Sequence, residues 1–341
     1  MSRRRFSFGR RLLWTAGAIL GLWLLDRIAV DTVNPYIYRI LVLCGLNAVL
    51  ALSLNLVNGI TGQFSIGHAG FMAVGAYTSA AFTVYAVPKL FGVEGAEGGV
   101  AVPGGVAVAG PLLLALLVGG ASSAIAGFLV GLPSMRLRGD YLAIVTLGFG
   151  EIIRVAILNI DAVGGARGFS GIPQRTNLAW VLGGVLVTFV TIKNLMKSYH
   201  GRAFLAIRED EIAAEALGVP TTRYKVTAFV IAAFFAGVAG ALFAHYTYLH
   251  TNSFTFMKSI EVIVMVVLGG MGSLTGSVLG AILLTALPEA LRFASAERLI
   301  IYSLLLIVLM IARPQGILGR RELSLSRVLD RFRRPRPAAT P

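Results

Sequence analysis

The sequence predicts an all-α, polytopic integral membrane protein, and three observations support this fold class. Of the 341 residues, 56% are hydrophobic and 13% are charged, which is about half the charged fraction of ~25% that soluble proteins carry. The mean hydropathy is +0.79. Apolar stretches of roughly 20 residues, the length that crosses a bilayer as a helix, recur along most of the chain. We therefore expect one transmembrane domain over residues 1–313.

Nine apolar stretches supply the predicted crossings, and one of them, residues 256–293, is barely long enough for two. The nine stretches are residues 12–30, 36–57, 64–87, 106–132, 141–160, 178–196, 224–248, 256–293 and 299–312. They give about ten transmembrane helices, or eight or nine if the weaker hairpins are counted differently.

Positive charge is concentrated at the two ends of the chain. The first eleven residues hold Arg3, Arg4, Arg5, Arg10 and Arg11, and residues 314–341 are rich in arginine. Because cytoplasmic segments of membrane proteins carry an excess of Lys and Arg, both termini are predicted to be cytoplasmic. The segment 314–341 is predicted to be a basic, disordered tail. The formal net charge of +14 therefore indicates membrane topology rather than nucleic-acid binding.

One polar segment, residues 197–225, separates two apolar stretches, and its basic residues also mark it as cytoplasmic. A short helix is predicted inside it. Asp210 is a suitable N-cap, Gly218 suits the left-handed position that ends a helix, and Pro220 prevents continuation.

The predicted helix is amphipathic. At ~100° per residue, one face carries Ile212, Ala213, Ala216 and Leu217, and the other carries Glu211 and Glu215. A helix this short is unstable alone in water. It is therefore expected to be a docking element for another protein, unless it is a solvated loop that happens to be helical.

Two Gly-rich segments interrupt the apolar pattern, NGITGQFSIGHAG at 58–70 and LGGMGSLTGS at 268–277. We call them the first break and the second break. Corresponding broken segments in two halves of a transporter indicate its pathway, whereas Gly and Ser also permit close helix packing. The candidate pathway residues are Gly59, Gly62, Gln63, Ser65, Gly67, His68, Gly70, Gly269, Gly270, Gly272, Ser273 and Gly276.

Glu151 and Arg154 lie near the middle of the stretch 141–160, three residues apart on one helix face. Ionisable groups inside a membrane are costly unless they are paired or face a polar interior. These two residues are predicted to form an intramembrane pair, either as a structural salt bridge or with a direct role in transport.

Searches for enzymatic motifs favour no catalytic or metal site. The sequence holds no phosphate-binding G-x-x-x-x-G-K-[ST] loop, and its four His and single Cys44 lack metal-ligand spacing. The stretch Gly168–Gly171 matches the G-x-S-G pattern of intramembrane proteases, with His245 as an imaginable base. However, Ser170 is predicted to lie in an outer loop rather than inside a span. We therefore predict no catalytic residue, no metal and no cofactor.

Five segments together resemble the permease subunits of bacterial branched-chain amino acid ABC importers. They are GQFSIGHAGFMAVGAYTSA at 62–80, LRGDYLAIVTLGFGEIIRV at 137–155, GRAFLAIREDEIAAEALGV at 201–219, AFVIAAFFAGVAGALFAH at 228–245 and MVVLGGMGSLTGSVLGA at 265–281. Their order and spacing are similar to those of the M-type subunit of the Liv system, and the resemblance covers about residues 36–318.

This resemblance implies that the polar segment contains the loop E-A-A-x-x-x-G, which inserts into the importer's ATPase. Ala213, Ala214 and Gly218 keep its spacing, whereas Ile212 takes the place of the acid and Glu211 precedes it. The ATPase-coupling helix and its flanks would then comprise Arg208, Asp210, Glu211, Ile212, Ala213, Ala214, Glu215, Ala216, Leu217 and Gly218.

The resemblance also implies a complex in the bacterial inner membrane. The chain would pair with a second, related permease subunit, two cytoplasmic ATPases would bind the ATP, and a periplasmic binding protein would deliver branched-chain or similar small amino acids. The same machinery carries urea or short-chain amides in related permeases. An ion-coupled secondary transporter is a further alternative, with Glu151, Glu261 and Glu289 as its candidate acids, and an intramembrane protease is another.

Overall fold

The computed structural model describes residues 21–91, 105–137, 139–293, 298–313, 315–319 and 322. These residues form α-helices joined by turns and short 3₁₀- and π-helical segments, which confirms the predicted all-α fold. The described residues contain no β-strand beyond one isolated antiparallel β-bridge between Phe169 and Leu249. The arginines of the N-terminus, the first half of the stretch 12–30 and most of the basic tail lie outside the described residues.

Thirteen helices are described, and the first is described from residue 21 onward. Their bounds are α1 (21–32), α2 (Pro35–Asn55), α3 (His68–Ala81), α4 (Val87–Phe91), α5 (Gly105–Ser134), α6 (Asp140–Leu158), α7 (Leu178–Lys197), α8 (Tyr199–Glu209), α9 (Glu211–Ala216), α10 (Thr221–Ala244), α11 (Phe256–Gly269), α12 (Leu274–Ala290) and α13 (Arg298–Ala312). A π-helical segment, Leu56–Ile60, extends α2, and another, Phe82–Ala86, follows α3.

The centre of the bundle is α2, whose residues are buried from Cys44 to its end. It packs against α7, α10, α11 and α12, while α10 packs against α3 and α5. Polar side chains also join these helices. Ser123 Oγ of α5 lies 2.9 Å from the carbonyl oxygen of Phe71 in α3 and 2.7 Å from that of Ala233 in α10.

Among the described residues, fewer helices than the predicted eight to ten are long and apolar enough to cross a membrane unaided. Six of the described helices are long and apolar enough to do so. They are Pro35–Ile60, His68–Lys89, Gly110–Ser134, Asp140–Leu158, Leu178–Lys197 and Thr221–Ala244. The main reason is the second break, which divides the stretch 256–293 into α11 with 14 residues and α12 with 17. At ~1.5 Å per residue, each is shorter than a bilayer's hydrocarbon core.

The bundle has two ends that differ in construction. The α9 end holds the first break, the segment 199–220 and the turn 269–273. The far end holds the connections 159–177 and 245–255. At the far end Phe169 N donates to Leu249 O at 2.9 Å, and Arg175 N and Thr176 N both donate to His245 O at 3.0 and 3.1 Å.

Candidate functional site

The helix α9 is capped at both ends by the residues that the sequence predicts. Asp210 Oδ1 accepts hydrogen bonds from Ile212 N at 2.9 Å and from Ala213 N at 3.0 Å. Gly218 has a φ of 84°, a left-handed conformation that glycine adopts without the steric cost of a Cβ. These caps hold a helix of six residues that propensity alone would not stabilise.

The apolar face of α9 is exposed in the described structure. Ile212 is 68% exposed and Leu217 is 86% exposed, and Ala213 and Ala216 are exposed beside them. Ala214 is the one buried residue of this helix, since it faces the bundle. An exposed apolar face next to charged residues is typical of a surface that another protein covers.

Glu211 joins α9 to α10 through an ion pair that the sequence did not predict. Its Oε2 lies 2.5 Å from Lys225 Nζ, and the Lys225 side chain is 1% exposed. A buried ammonium group needs an opposite charge, so this contact fixes α9 to the start of α10. In the sequence Lys225 is only one of several basic residues in a polar segment, and its burial depends on the packing of α8 and α9 around it.

Asn55, at the end of α2, brings the two breaks together. Its Oδ1 accepts a hydrogen bond from Gly272 N at 2.8 Å, and its Nδ2 donates to Ser273 O at 3.1 Å. The side chain is fully buried. Sequence reasoning missed Asn55, although an amide in a long apolar helix directly before a Gly-rich segment is a recognisable signal.

Gly59 and Gly272 face each other at this contact. A Cβ on Gly59 would overlap with Asn55 Oδ1 and with Gly272 N, and Gly272 itself has a φ of 89°. Two helix-derived backbones approach this closely only where side chains are absent. Both glycines are therefore needed for the breaks to meet.

Arg208, in the last turn of α8, contacts both breaks. Its Nη1 donates to Gly59 O at 3.3 Å, and its Nη2 lies 2.8 Å from Glu209 Oε1. A Cβ on Gly62 would lie 2.9 Å from Arg208 Cγ, and one on Gly272 would lie 3.1 Å from Arg208 Nη1. We call the group Asn55, Gly59, Gly62, Arg208 and Gly272 the junction. It connects the segment carrying α9 to both breaks.

The other candidate pathway residues lie within the bundle, where several serve helix packing. A Cβ on Gly70 would lie 2.8 Å from Gly150 Cα of α6, and Gly67 is held against Thr146 of the same helix. Gly269 and Gly276 bring α11 and α12 into direct contact. These glycines fit the packing alternative, whereas Gly59, Gly62 and Gly272 lie at the junction.

Most polar groups of the first break have hydrogen-bond partners nearby, whereas the buried Ser65 Oγ has none among the described residues. Asn58 Nδ2 donates to Ser65 O at 3.3 Å while Asn58 Oδ1 accepts from Ser65 N at 3.2 Å. Gln63 Nε2 donates to Thr61 O at 3.4 Å, and His68 Nε2 lies 2.7 Å from Ser53 Oγ. The break is therefore a defined structure rather than a loose loop.

The segment after α13 covers the second break. Ile317 N donates to Leu268 O at 2.8 Å, and Leu318 N donates to Gly269 O at 3.3 Å. Glu322 Oε1 accepts a hydrogen bond from Leu274 N at 3.1 Å, in the first turn of α12. Gly270, in the turn between the two helices, lies against Gly319.

Glu151 and Arg154 form the predicted pair, with Arg154 Nε 2.7 Å from Glu151 Oε2. The second carboxylate oxygen, Glu151 Oε1, accepts from Phe256 N at 3.1 Å. Since Phe256 is the first residue of α11, the negative charge lies at a helix N-terminus, where the helix dipole favours it. The arrangement therefore fits a structural role that joins α6 to α11.

Among the described residues, no arrangement of Ser170 and His245 supports the protease alternative. His245 Nε2 lies 2.9 Å from Thr83 Oγ1, and His245 Nδ1 lies 2.8 Å from Ala241 O. Both ring nitrogens thus have partners other than Ser170, which is exposed. The described part of the chain also contains no group of three His, Cys, Asp or Glu residues that could hold a metal ion.

Comparison with known proteins agrees with the resemblance that the motifs predict. The family model described as "Branched-chain amino acid transport system / permease component" matches residues 36–313. The high-affinity branched-chain amino acid transport system permease protein LivM of Salmonella typhimurium is 39% identical, over 79% of this chain and 67% of LivM. LivM of Escherichia coli is 38% identical over the same shares.

A second permease of the same named system is also similar. The high-affinity branched-chain amino acid transport system permease protein LivH of Escherichia coli is 27% identical, over 81% of this chain and 92% of LivH. No solved structure is significantly similar to the chain. The family matched is one of transport permeases, which is not a class of enzymes.

Proposed function

This chain belongs to the family of branched-chain amino acid transport system permeases, and from this premise we propose that it is the M-type permease subunit of an ATP-driven importer of leucine, isoleucine and valine. Its similarity to both LivM and LivH supports pairing with a second, related permease chain. Because the sequence lacks a phosphate-binding loop, two separate ATPase subunits would bind the ATP, and a periplasmic binding protein would deliver the substrate.

The junction is the observation that carries this proposal. Arg208 belongs to the segment that presents α9, and it contacts Gly59 of the first break and Gly272 of the second. A movement imposed on α9 would therefore reach both breaks directly. It would also reach α10 through the ion pair of Glu211 with Lys225.

The coupling mechanism follows from these contacts. The ATPase would bind the exposed apolar face of α9 from the cytoplasm. We also place both termini of the chain on the cytoplasmic side. Closure of the ATPases on ATP would move α8 and α9 together, since Asp210 joins them without a flexible linker. Arg208 and Asn55 would then reposition the two breaks and change access to the path at the α9 end of the bundle.

Reconstitution of the complete complex tests the function. The chain, its partner permease, the ATPases and the binding protein would be placed in liposomes, and ATP-dependent uptake of labelled leucine would be measured with and without binding protein. Leucine uptake that requires ATP and binding protein supports the proposal. Uptake of urea or acetamide in preference to leucine would identify the amide-transport alternative, and uptake driven by an ion gradient without ATP would contradict the proposed class.

A substitution on the exposed face of α9 tests the coupling role. Ala213→Trp should abolish uptake, because a large ring on this face prevents close approach of an ATPase groove. Glu215→Gln, in the same helix, should change uptake by less than about twofold, since charges at the rim of an interface contribute mainly to encounter. Unchanged uptake and unchanged substrate-stimulated ATP hydrolysis in Ala213→Trp would show that the ATPase does not bind this face of α9.

A further inference from the structure

Four polar side chains join α2, α11 and α12 at a place distant from the junction. Lys258 Nζ donates to Asn47 Oδ1 at 3.0 Å and lies 3.0 Å from Glu261 Oε2. Asn47 Nδ2 donates to Thr285 Oγ1 at 2.8 Å. We call Asn47, Lys258, Glu261 and Thr285 the midspan cluster.

The midspan cluster lies half-way along the bundle. Asn47 is in the middle of Pro35–Ile60, a helix long and apolar enough to cross a membrane, and eight residues, about 12 Å of helix, separate it from Asn55 of the junction. The helices α2, α11 and α12 that carry the cluster also carry both breaks at their other ends. The cluster and the junction therefore lie at two different levels along the same helices.

The charged pair of the cluster is accessible rather than enclosed. The side chains of Lys258 and Glu261 are 21% and 38% exposed, while Asn47 behind them is buried. Neighbouring residues on the same helices are apolar and exposed, namely Met257 at 60%, Ile260 at 38% and Ile282 at 43%. Ionisable residues at this depth are costly against lipid and mark substrate pathways.

We propose that the midspan cluster is a binding site for a zwitterionic amino acid during its passage through the permease. The substrate carboxylate would bind the Lys258 ammonium group, and its α-ammonium group would bind the Glu261 carboxylate and Asn47 Oδ1. The aliphatic side chain would lie against Met257, Ile260 and Ile282. This inference depends on the proposed transport function, and it specifies the substrate as an α-amino acid.

Charge balance supports this choice of ligand. The Lys258–Glu261 pair neutralises itself when the site is empty, and a bound zwitterion would replace one ion pair by two. No net charge is then introduced into the membrane in either state, which avoids the penalty of an unpaired buried ion. Urea and simple amides carry no opposite charges, so they would gain neither contact.

Charge substitutions test the site in the reconstituted complex. Lys258→Met and Glu261→Gln should each lower leucine uptake by about tenfold or more, the usual cost of leaving a charged group without its ionic partner. The double variant Lys258→Glu/Glu261→Lys keeps an ion pair but reverses its direction relative to the apolar residues. It should assemble with its partner subunits and still fail to restore uptake. Recovery of at least half the original uptake by this double variant would overturn the proposal in favour of a structural pair.

Thiol labelling gives a second readout that does not depend on transport rate. In the complex carrying Cys44→Ala and Ile260→Cys, leucine with binding protein should slow labelling of the new cysteine, and urea should not. The protection should disappear when Glu261→Gln is added. Protection that persists in Glu261→Gln would overturn the midspan site alone, whereas absence of leucine import by the unaltered chain would overturn the proposed function with it.

Discussion

The two ends of the bundle use backbone and side-chain hydrogen bonds in different places. At the far end, backbone groups pair directly, from Phe169 to Leu249 and from Arg175 and Thr176 to His245. At the α9 end backbone bonds join Ile317 and Leu318 to the second break, but the bonds that tie the two breaks to α2 and α8 come from side chains. Asn55 is bonded to the second break and Arg208 to the first. Backbone pairs do not depend on residue type, whereas side-chain contacts are lost or exchanged when one residue moves.

This difference suggests that the two ends of the bundle have different roles in transport. The far end would keep its shape while the α9 end changes its contacts during each transport cycle. The Glu211–Lys225 pair adds a further side-chain contact at the α9 end. Ile317, Leu318 and Glu322 add hydrogen bonds to the second break and to the start of α12. Substitutions should consequently be more harmful at the α9 end than at the far end, and the following variants test that expectation.

The largest effect is expected for Gly59→Val at the junction. The new side chain would overlap with Asn55 Oδ1 and Gly272 N, so the breaks could not meet, and uptake should fall to the background level. The amount of assembled complex would be measured by copurification of the partner subunits, beside leucine uptake.

Gly183→Val in α7 is the matched control. A Cβ at Gly183 meets no atom within 4 Å, so the same change in size should be tolerated there. Normal uptake by Gly59→Val would mean that the close approach of the breaks is not needed.

The next largest effect is expected for Glu211→Gln. This change leaves the Lys225 ammonium group without its carboxylate while its side chain remains 1% exposed. Breaking a buried pair by removal of one partner costs about 3–5 kcal/mol, which should appear as a lower thermal unfolding temperature of the purified complex.

The double variant Glu211→Gln/Lys225→Met is the control for this interpretation. It removes the buried charge as well, and it should regain part of the lost stability. A double variant as unstable as the sum of both single variants would show that the two residues contribute separately.

Much of the fold was predictable from the sequence because its signals are local. Apolar length predicted the helices that cross the bundle, and Asp210 with Gly218 predicted both ends of α9. The Gly-rich composition of the two breaks predicted where helices end. It did not predict that α11 and α12 would each fall short of a full span, because the sequence gives the total apolar length but not how the turn divides it.

The site was predictable only in part. Residues of α9 and the two breaks were singled out separately, but their meeting at Arg208 depends on how α8 packs beside α2. Asn55 and Lys225 were missed for a similar reason. Their importance comes from partners 217 and 14 residues away in the chain. An amide in an apolar helix can be noticed in the sequence, but no local pattern identifies its distant partner.

A smaller effect than that of Glu211→Gln is expected for Asn55→Ala. The variant loses the hydrogen bonds to Gly272 N and Ser273 O, and buried groups left without partners cost about 1–3 kcal/mol. Both uptake and the unfolding temperature should fall.

Thr83→Val provides the comparison at the far end. It removes the contact of Thr83 with His245 but leaves the backbone bonds of Arg175 and Thr176 to the His245 carbonyl oxygen. It should therefore be less harmful than Asn55→Ala. Equal losses in the two variants would contradict the distinction between the ends.

The smallest effect is expected for Tyr85→Phe at the far end. Tyr85 Oη donates to Ala162 O at 2.6 Å, and the ring stacks on Phe169 with 6.0 Å between centroids. The side chain is 50% exposed, so water can replace the lost hydroxyl as a partner for the carbonyl, and the ring contact remains. Since Phe169 is also held by its backbone bond to Leu249, leucine uptake should change by less than about twofold. A loss as large as that of Asn55→Ala would show that side chains hold the far end as well, and the proposed division between a fixed end and a movable end would then be wrong.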